Sequence, residues 1–302
     1  VRHIILDCDP GHDDAFALAL AQTSPELELL GITVTYGNTS LEHTYRNAKA
    51  LARVLSSKAP VLSGSSEPLL RPRISGESAH GPSGLEGPTL PQAQPITGLR
   101  QAVPFIIEQA LKHSTVTLVA VGPLTNIALA LRTEPAIIPH IQEIALVGGS
   151  TGRGNITPVA EFNIFADPHA AQVVLQSGIP ITLFGLNVTE HALLYQADLD
   201  QLKHNPSQAS SFLAAVLDFF LKAHLGWGFA GACMHDPCPV AYLLQPELFE
   251  LKPMRVEVDT GGGIGFGQTV CDPNSQNPNA RVAVGADYGG LRRLMMEHIA
   301  TL

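Results

Sequence analysis

Four carboxylates crowd into eight residues near the start of the chain: Asp7, Asp9, Asp13 and Asp14. A short apolar run, Ile4 to Leu6, leads into them, Pro10 and Gly11 break the chain between the pairs, and Ala15 to Ala21 resumes as a good helix former. The pattern predicts strand, tight turn and helix. Strand side chains alternate, so Asp7 and Asp9 leave the end of the strand on the same side. Asp13 and Asp14 fall in the first helical turn, where free N–H groups and the helix dipole favour negative charge. A helix cap and an Asp-Pro-Gly turn account for one or two of these acids. Four at one strand end repel each other unless a cation or hydrogen-bond donors neutralise them. Hard oxygen ligands of this kind suit Ca²⁺ or Mg²⁺, and the reading is a metal site.

The rest of the chain repeats the strand–helix alternation. Strands are expected at Leu27 to Thr35, Pro60 to Leu62, Thr115 to Val121, Ile141 to Val147 and Ile181 to Leu186. Helices are expected at Ser40 to Leu55, Val103 to Lys112, from Thr125 to about Arg132, Pro168 to Leu175 behind an Asp167 cap, Ser210 to His224 and Pro239 to Leu244. The tail adds strands near Arg255 to Asp259, Thr269 to Cys271 and Arg281 to Val284, with Asp287 opening a closing helix. Residues 64–98, rich in Gly, Pro and Ser, form the longest irregular stretch, and loops of that length tend to be functional. The expected fold class is α/β: a single open, mostly parallel, Rossmann-like sheet with helices on both faces, in one domain spanning 1–302. Ligands of such sheets bind beyond the carboxyl ends of the strands. Asp7 and Asp9, Asn38, Thr125 and Gly148-Gly149 each directly follow an apolar strand, so all should converge on one crevice.

Charge and cysteine usage exclude several classes. The formal net charge of −9 offers no basic stripe for a nucleic-acid backbone. No run approaches the roughly 18 consecutive apolar residues of a membrane span. The four cysteines contain no Cys-x-x-Cys pair, so no zinc site is read from them, and reduced thiols in a cytoplasmic protein are the expectation. The chain goes straight into a strand without a signal-peptide pattern, which fits the same expectation.

Other candidate groups have structural readings beside functional ones. His235-Asp236-Pro237 matches a helix N-cap, yet an acidic site short of ligands makes Asp236 a distant ligand and His235 an acid. Asn155, Glu161 and Asn163 could serve turns or form a polar rim for a polyhydroxy ligand. His80, in the long loop, is expected to be solvated. Trp227, the single tryptophan, is either core or a stacking surface for a flat ligand. The Gly- and Asn-rich stretch 261–279 has no functional reading.

Asp7-x-Asp9-Pro-Gly-x-Asp13-Asp14-Ala, with Tyr36-Gly37-Asn38, Gly122-Pro123-Leu124-Thr125-Asn126, Glu161-Phe162-Asn163 and His235-Asp236-Pro237, resembles the nucleoside hydrolase family over essentially the whole chain. The resemblance implies a Ca²⁺-dependent enzyme releasing base and ribose from small-molecule nucleosides, as in purine and pyrimidine salvage, and a homodimer or homotetramer. It implies that Asp9, Asp14 and Asp236 ligate Ca²⁺ through carboxylates and Thr125 through its carbonyl. Asp13, Asn38, Asn155, Glu161 and Asn163 would hold the ribose hydroxyls, and two of these hydroxyls would complete the metal's coordination. Asp7 and Asn126 would support the ligands from behind. Asp9 would be the general base toward the attacking water and His235 the acid for the leaving base. His80, Phe162 and Trp227 are the candidates on the base side.

This chain departs from its relatives at three places. Val147 stands where many carry Met, Asn187 replaces a common Asp and is read as structural, and Ala223 and Trp227 stand where pyrimidine-preferring relatives present polar or tyrosyl groups. Two other readings were weighed against the hydrolase. A haloacid-dehalogenase-like phosphatase fits Asp7-x-Asp9 but wants Thr or Val at Gly11 and has no use for Asp13-Asp14. A Ca²⁺-dependent nucleoside or ribose binder that has lost its chemistry conflicts with the presence of Asp9 and His235.

Overall fold

The computed structural model describes residues 1–90 and 101–302, so positions 91–98 of the long irregular stretch lie outside the described residues. Its strands are β1 (Arg2–Cys8), β2 (Leu27–Val34), β3 (Val61–Ser63), β4 (Val116–Ala120), β5 (Ile141–Val147), β6 (Ile181–Phe184), β7 (Leu193–Leu194), β8 (Ala232–Cys233), β9 (Phe249–Val258), β10 (Thr269–Asp272) and β11 (Ala280–Ala286). The helices are α1 (His12–Thr23), α2 (Leu41–Val54), α3 (Glu77–His80), α4 (Ala102–Lys112), α5 (Thr125–Thr133), α6 (Phe162–Ala166), α7 (Pro168–Leu175), α8 (Leu186–Thr189), α9 (Gln196–His204), α10 (Gln208–Gly226), α11 (Pro237–Leu244) and α12 (Tyr288–Ile299).

Among the described residues, nine strands form one sheet in the order β10-β9-β11-β6-β5-β4-β1-β2-β3. From β11 through β6 to β3 every pairing is parallel, while β9 pairs antiparallel with both β11 and β10. The expected parallel α/β sheet is present, with an antiparallel edge. That edge is built by the tail: β9 and β10 form a hairpin, and the loop after β10 passes β9 to reach β11 without a crossover helix. The Gly- and Asn-rich stretch supplies those loops.

Both faces of the sheet are covered. One apolar layer joins Ile4, Leu6, Ile32 and Val34 to α1, α2, α10, α11 and α12. The opposite layer joins Ile5, Leu118 and Ile144 to α4, α5 and α7. Strands buried on both faces read as continuous apolar runs, which is why β4 and β5 were visible without alternation. Helix α1 is buried from His12 through Ala21. Its alternation of Ala with Phe16, Leu18 and Leu20 lets it pack against the sheet, α10, α11 and α12 at once. Helix α10 is long and apolar enough to cross a membrane by composition, but its Leu213, Val216, Leu217 and Phe220 lie in the core.

Asp167 caps α7 as expected, accepting from the Ala170 N–H at 3.0 Å, and Asp287 caps α12, accepting from Gly290 at 3.0 Å. Strand β9 begins at Phe249, six residues before the expected Arg255. Its first half carries Glu250, Lys252 and Pro253, residues that disfavour a strand reading. Helix α9 and the small antiparallel β7–β8 pair were not foreseen.

Phe16 is fully buried in the helix that carries the acidic pair. Phe16→Ala should cost roughly 3–5 kcal/mol of unfolding free energy, read as a lower urea midpoint with an unchanged slope.

Candidate active site

The carboxyl ends of β1, β2, β4 and β5 open into a cavity of about 490 Å³. Its oxygen-rich wall includes Asp9, Asp13, Asn38, Asn155, Glu161, Asn163 and Asp236, and its wall of rings includes His80, Phe162, Trp227 and His235. Of the strand-end residues expected to converge, Asp9 and Asn38 line the cavity with the distant His-Asp pair, whereas Asp7, Thr125 and Gly148-Gly149 are not part of its lining. Asp14 lies directly beneath the cavity, with a carboxylate oxygen within 4.8 Å of oxygens from Asp13 and Asp236.

The acidic cluster is held by hydrogen bonds that serve position more than neutralisation. Asp9 Oδ2 accepts the Asn38 N–H at 2.7 Å, and the Asn38 amide donates to the Asp9 carbonyl at 3.0 Å and to Asp14 Oδ2 at 3.3 Å. Gly11 N–H donates to Asp14 Oδ2 at 2.8 Å, while Asp14 Oδ1 is buried without a partner. Two glycines make room for Asp9: a Cβ at Gly37 would fall 2.0 Å from its Oδ2, and one at Gly122 2.5 Å from its Oδ1. Below them, Asp7 Oδ1 accepts from Thr33 Oγ1 at 2.6 Å and from the Asn126 amide at 2.9 Å, and its Oδ2 is buried unpaired.

Burial pushes all of these acids upward. Asp7 rises to about 7 against the pull of Thr33 and Asn126, Asp13 to about 8 with Asp14 adding to it, and Asp14 to about 6. Asp9 and Asp236 are raised well above the carboxylate range, by burial first and by neighbouring carboxylates next. Asp236 sits at the start of α11 yet makes no capping bond with its side chain, so the cap reading fails for it. An all-oxygen set of buried, unneutralised carboxylates is chemistry that suits a hard divalent cation.

The polar rim divides by role. Asn163 donates its amide to the carbonyls of Val121 (2.9 Å) and Val147 (3.3 Å), which spends the donor end of the side chain on the scaffold. Glu161 caps α6 by accepting from Asn163 and Ile164 N–H, and also binds Gly149 N–H at 2.9 Å. Asn155 accepts the Phe162 N–H at 2.9 Å. The turn-building role weighed for Glu161 and Asn155 is therefore real, and both still face the cavity. Thr125 turns its hydroxyl to Asp167 (2.8 Å) and Tyr36 (3.1 Å), leaving its carbonyl as the group a ligand role would use. Asn187 bridges the Ala283 carbonyl and Thr151 N–H, in keeping with a structural role.

On the opposite wall the structure corrects one expectation. His80 is not solvated: it is buried, in the short α3, and its ring stacks near Phe220. His12, which the sequence reading passed over, holds it there. The two Nδ1 atoms are 3.1 Å apart, the His12 N–H lies 3.3 Å from His80 Nδ1, and His12 Nε2 lies 2.9 Å from the Glu86 carbonyl. A carbonyl can only accept, so His12 Nε2 carries a proton, while the His12 backbone N–H donates to His80 Nδ1. Burial pushes His12 down to about 4 and His80 well below its ordinary value. His224, also missed, lines the cavity beside half-exposed Trp227 and Phe229. His-Asp-Asp and an isolated His on an apolar helix carry no local signal for these contacts. His235 Nδ1 lies 2.7 Å from Thr189 Oγ1.

The raised acids fix a sign for stability. A carboxyl whose folded pKa exceeds its unfolded value of roughly 4 stabilises the fold below that value, and this is lost as pH rises through the folded pKa. For Asp7, Asp13 and Asp14 that window runs from about 6 to about 8. The metal-free protein should melt lower at pH 8.5 than at pH 5, and an added divalent cation should raise the melting temperature most at pH 8.5. Equal cation effects at both values would contradict it.

The sequence pattern of the family described as inosine-uridine preferring nucleoside hydrolase matches residues 4–293. The pyrimidine-specific ribonucleoside hydrolase RihA of Shewanella baltica is 43% identical, with 99% of this chain and 96% of the relative covered. RihA of Salmonella paratyphi A is 43% identical, covering 98% and 97%. Among solved structures, the purine-preferring ribonucleoside hydrolase from Gardnerella vaginalis superposes with a TM-score of 0.93 at 35% identity, covering 99% of this chain and 98% of that one. The inosine-uridine preferring nucleoside hydrolase of Bacillus anthracis, at 20% identity and a TM-score of 0.79 over 100% of both chains, shares the fold.

Proposed function

The chain belongs to the inosine-uridine preferring nucleoside hydrolase family, and on that premise we propose that it is a Ca²⁺-dependent enzyme in which Asp9, Asp14, Asp236 and the Thr125 carbonyl hold the ion. It is an N-glycosyl hydrolase of ribonucleosides, releasing free base and ribose. The observation that carries the cation is the buried cluster of carboxylates, with Asp14 Oδ1 left without a hydrogen-bond partner. Three carboxylates, each able to bind through one oxygen or two, a carbonyl and two ribose hydroxyls match the six to eight oxygen ligands of Ca²⁺ better than the tight octahedron of Mg²⁺. When bound, the ion would let the crowded acids stay ionised and would lower the pKa of water at the site.

The chain's own residues then divide the work. Asp9, gripped at Oδ2 by Asn38 and pressed between Gly37 and Gly122, is the base that takes a proton from the attacking water. Asp13, Asn38, Asn155, Glu161 and Asn163 fix the ribose by its hydroxyls. The Asn163 amide is committed to two carbonyls, so its oxygen is the end offered to a ribose O–H. This grip orients the anomeric carbon, and the surrounding carboxylates favour the positive charge that develops on the ring in an oxocarbenium-like transition state.

On the leaving side, burial pushes His235 down to about 3, so its ring is neutral at pH 7. With the Thr189 hydroxyl donating to Nδ1, the proton sits on Nε2. Negative charge building on the departing base strengthens that donation as the bond breaks. His80, braced by His12, and the aromatic pair Trp227 and Phe162 border the base.

Inosine, uridine, cytidine and adenosine, each with and without a Ca²⁺-selective chelator, test the reading by reducing-sugar release. Ribose should appear, vanish on chelation and return with Ca²⁺; release that survives full chelation sinks the metal assignment. His235→Ala should slow nucleosides by ~10²–10⁴-fold and p-nitrophenyl riboside far less, because that leaving group needs no proton. Equal losses on both substrates would remove His235 as the acid.

A further inference from the structure

The cavity holds a second cluster of metal-ligating side chains, chemically unlike the first. One donor atom each from His224, Cys233 and His235 lies within 4.8 Å of the other two. His224 comes from the last turn of α10, Cys233 from β8, and His235 two residues later. The first cluster offers only oxygen; this one offers two imidazoles and a thiol, the donor set of Zn²⁺ and other borderline or soft cations.

His224 is already in the tautomer a ligand needs, and His235 reaches it when its proton moves from Nε2 to Nδ1. His224 Nδ1 lies 3.0 Å from the Phe220 carbonyl, which can only accept, so Nδ1 bears the proton and Nε2 is bare. The Thr189 hydroxyl beside His235 Nδ1 can accept as well as donate. When it accepts, His235 Nε2 is bare too. An imidazole that gives its far N–H to a carbonyl or hydroxyl is the usual support for a metal-bound histidine. The Cys233 thiol is buried, its Sγ 3.4 Å from the Glu190 carbonyl, and no disulfide competes for it. Tetrahedral coordination at ordinary Zn–N and Zn–S lengths needs donors roughly 3.4–3.6 Å apart, so side-chain rotations that draw the three atoms together by about an ångström complete the site.

We propose that His224, Cys233 and His235 form a soft-donor site for Zn²⁺, separate from the carboxylate site, and that filling it stops turnover. Binding forms two Zn–N bonds and one Zn–S bond and releases the thiol proton to solvent. The fourth position opens toward the cavity that His224 and His235 line. Inhibition follows because the ion takes the His235 nitrogen that faces the leaving base; only this consequence rests on the role proposed above for His235. Cysteine spacing gave no sign of the site, since its ligands come together only when α10 folds against β8.

The test uses the full chain at saturating Ca²⁺, with Co²⁺ and Zn²⁺ as probes. Co²⁺ should give a thiolate-to-metal charge-transfer band, displaced by Zn²⁺ and absent in Cys233→Ser. This readout needs no turnover and so stands apart from the catalytic reading. Zn²⁺ should inhibit ribose release, and at least ~10-fold more Zn²⁺ should be needed for Cys233→Ser and for His224→Phe, while Cys233→Ser keeps its basal activity without Zn²⁺. Absence of the band overturns the proposal. So does Zn²⁺ inhibition that is equal in wild type and Cys233→Ser, or that extra Ca²⁺ relieves, because both outcomes place the ion on the carboxylates.

Discussion

Like charge at close range governs this molecule. Asp9, Asp13, Asp14 and Asp236 are buried together, and burial first, then neighbouring carboxylates, raises the hold of Asp9, Asp13 and Asp236 on protons. Without a counter-charge, such a cluster costs stability in the pH range where an enzyme works. The surrounding chain is built to hold the cluster in place and leaves it without a counter-charge. Asn38 and Gly11 bind single oxygens, Asn126 and Thr33 hold Asp7 from behind, and no Lys or Arg forms an ion pair with any of these acids among the described residues. A cation is the partner the arrangement lacks, and the pull on that cation is what the hydrogen bonds preserve.

The sheet makes the cluster possible. Parallel strands direct their carboxyl ends to one edge, so β1, β2, β4 and β5 deliver short polar loops to a common crevice. Layers on both faces keep β1 central, with β2 and β4 as its neighbours. Helix α1 is buried on several sides, so Asp13 and Asp14 in its first turn have little freedom to move apart. The repulsion is tolerated because the apolar packing of Phe16, Leu18 and Leu20 opposes any retreat.

What the sequence made legible follows from how local each signal is. Asp7-x-Asp9, Asn38, Thr125 and the Asp167 cap each sit beside a strand or helix whose period can be read in a window of about a dozen residues. Their convergence then follows from one topological rule. His12 and His224 escaped, as did the burial of His80, because nothing near them in sequence marks these contacts. His80 is buried by Phe220, 140 positions away, and His12 acts through Glu86 and Phe219. The first half of β9 was missed for a different reason: near the antiparallel edge it is half exposed, so its Glu and Lys are tolerated where a central strand would refuse them.

The same locality separates the two halves of the cavity. The oxygen-rich half is built largely by the ends of sheet strands, and Asp9, Asp14, Asn155, Glu161 and Asn163 there are each tied to the scaffold by at least one hydrogen bond. The aromatic half is built by α3, the end of α10 and the turn that follows, where Trp227 is half exposed and Gly228 adopts a positive φ of 87°. A substitution there changes what touches a base without disturbing the strand ends. Relatives that share this fold are named pyrimidine-specific in one case and purine-preferring in another, while all are named hydrolases of nucleosides or ribonucleosides. With the sugar and base placed as proposed above, a rigid grip on the one and a replaceable wall for the other would account for both facts, because catalysis needs the sugar's anomeric carbon held to a fraction of an ångström, whereas a flat base needs mainly a surface of the right shape.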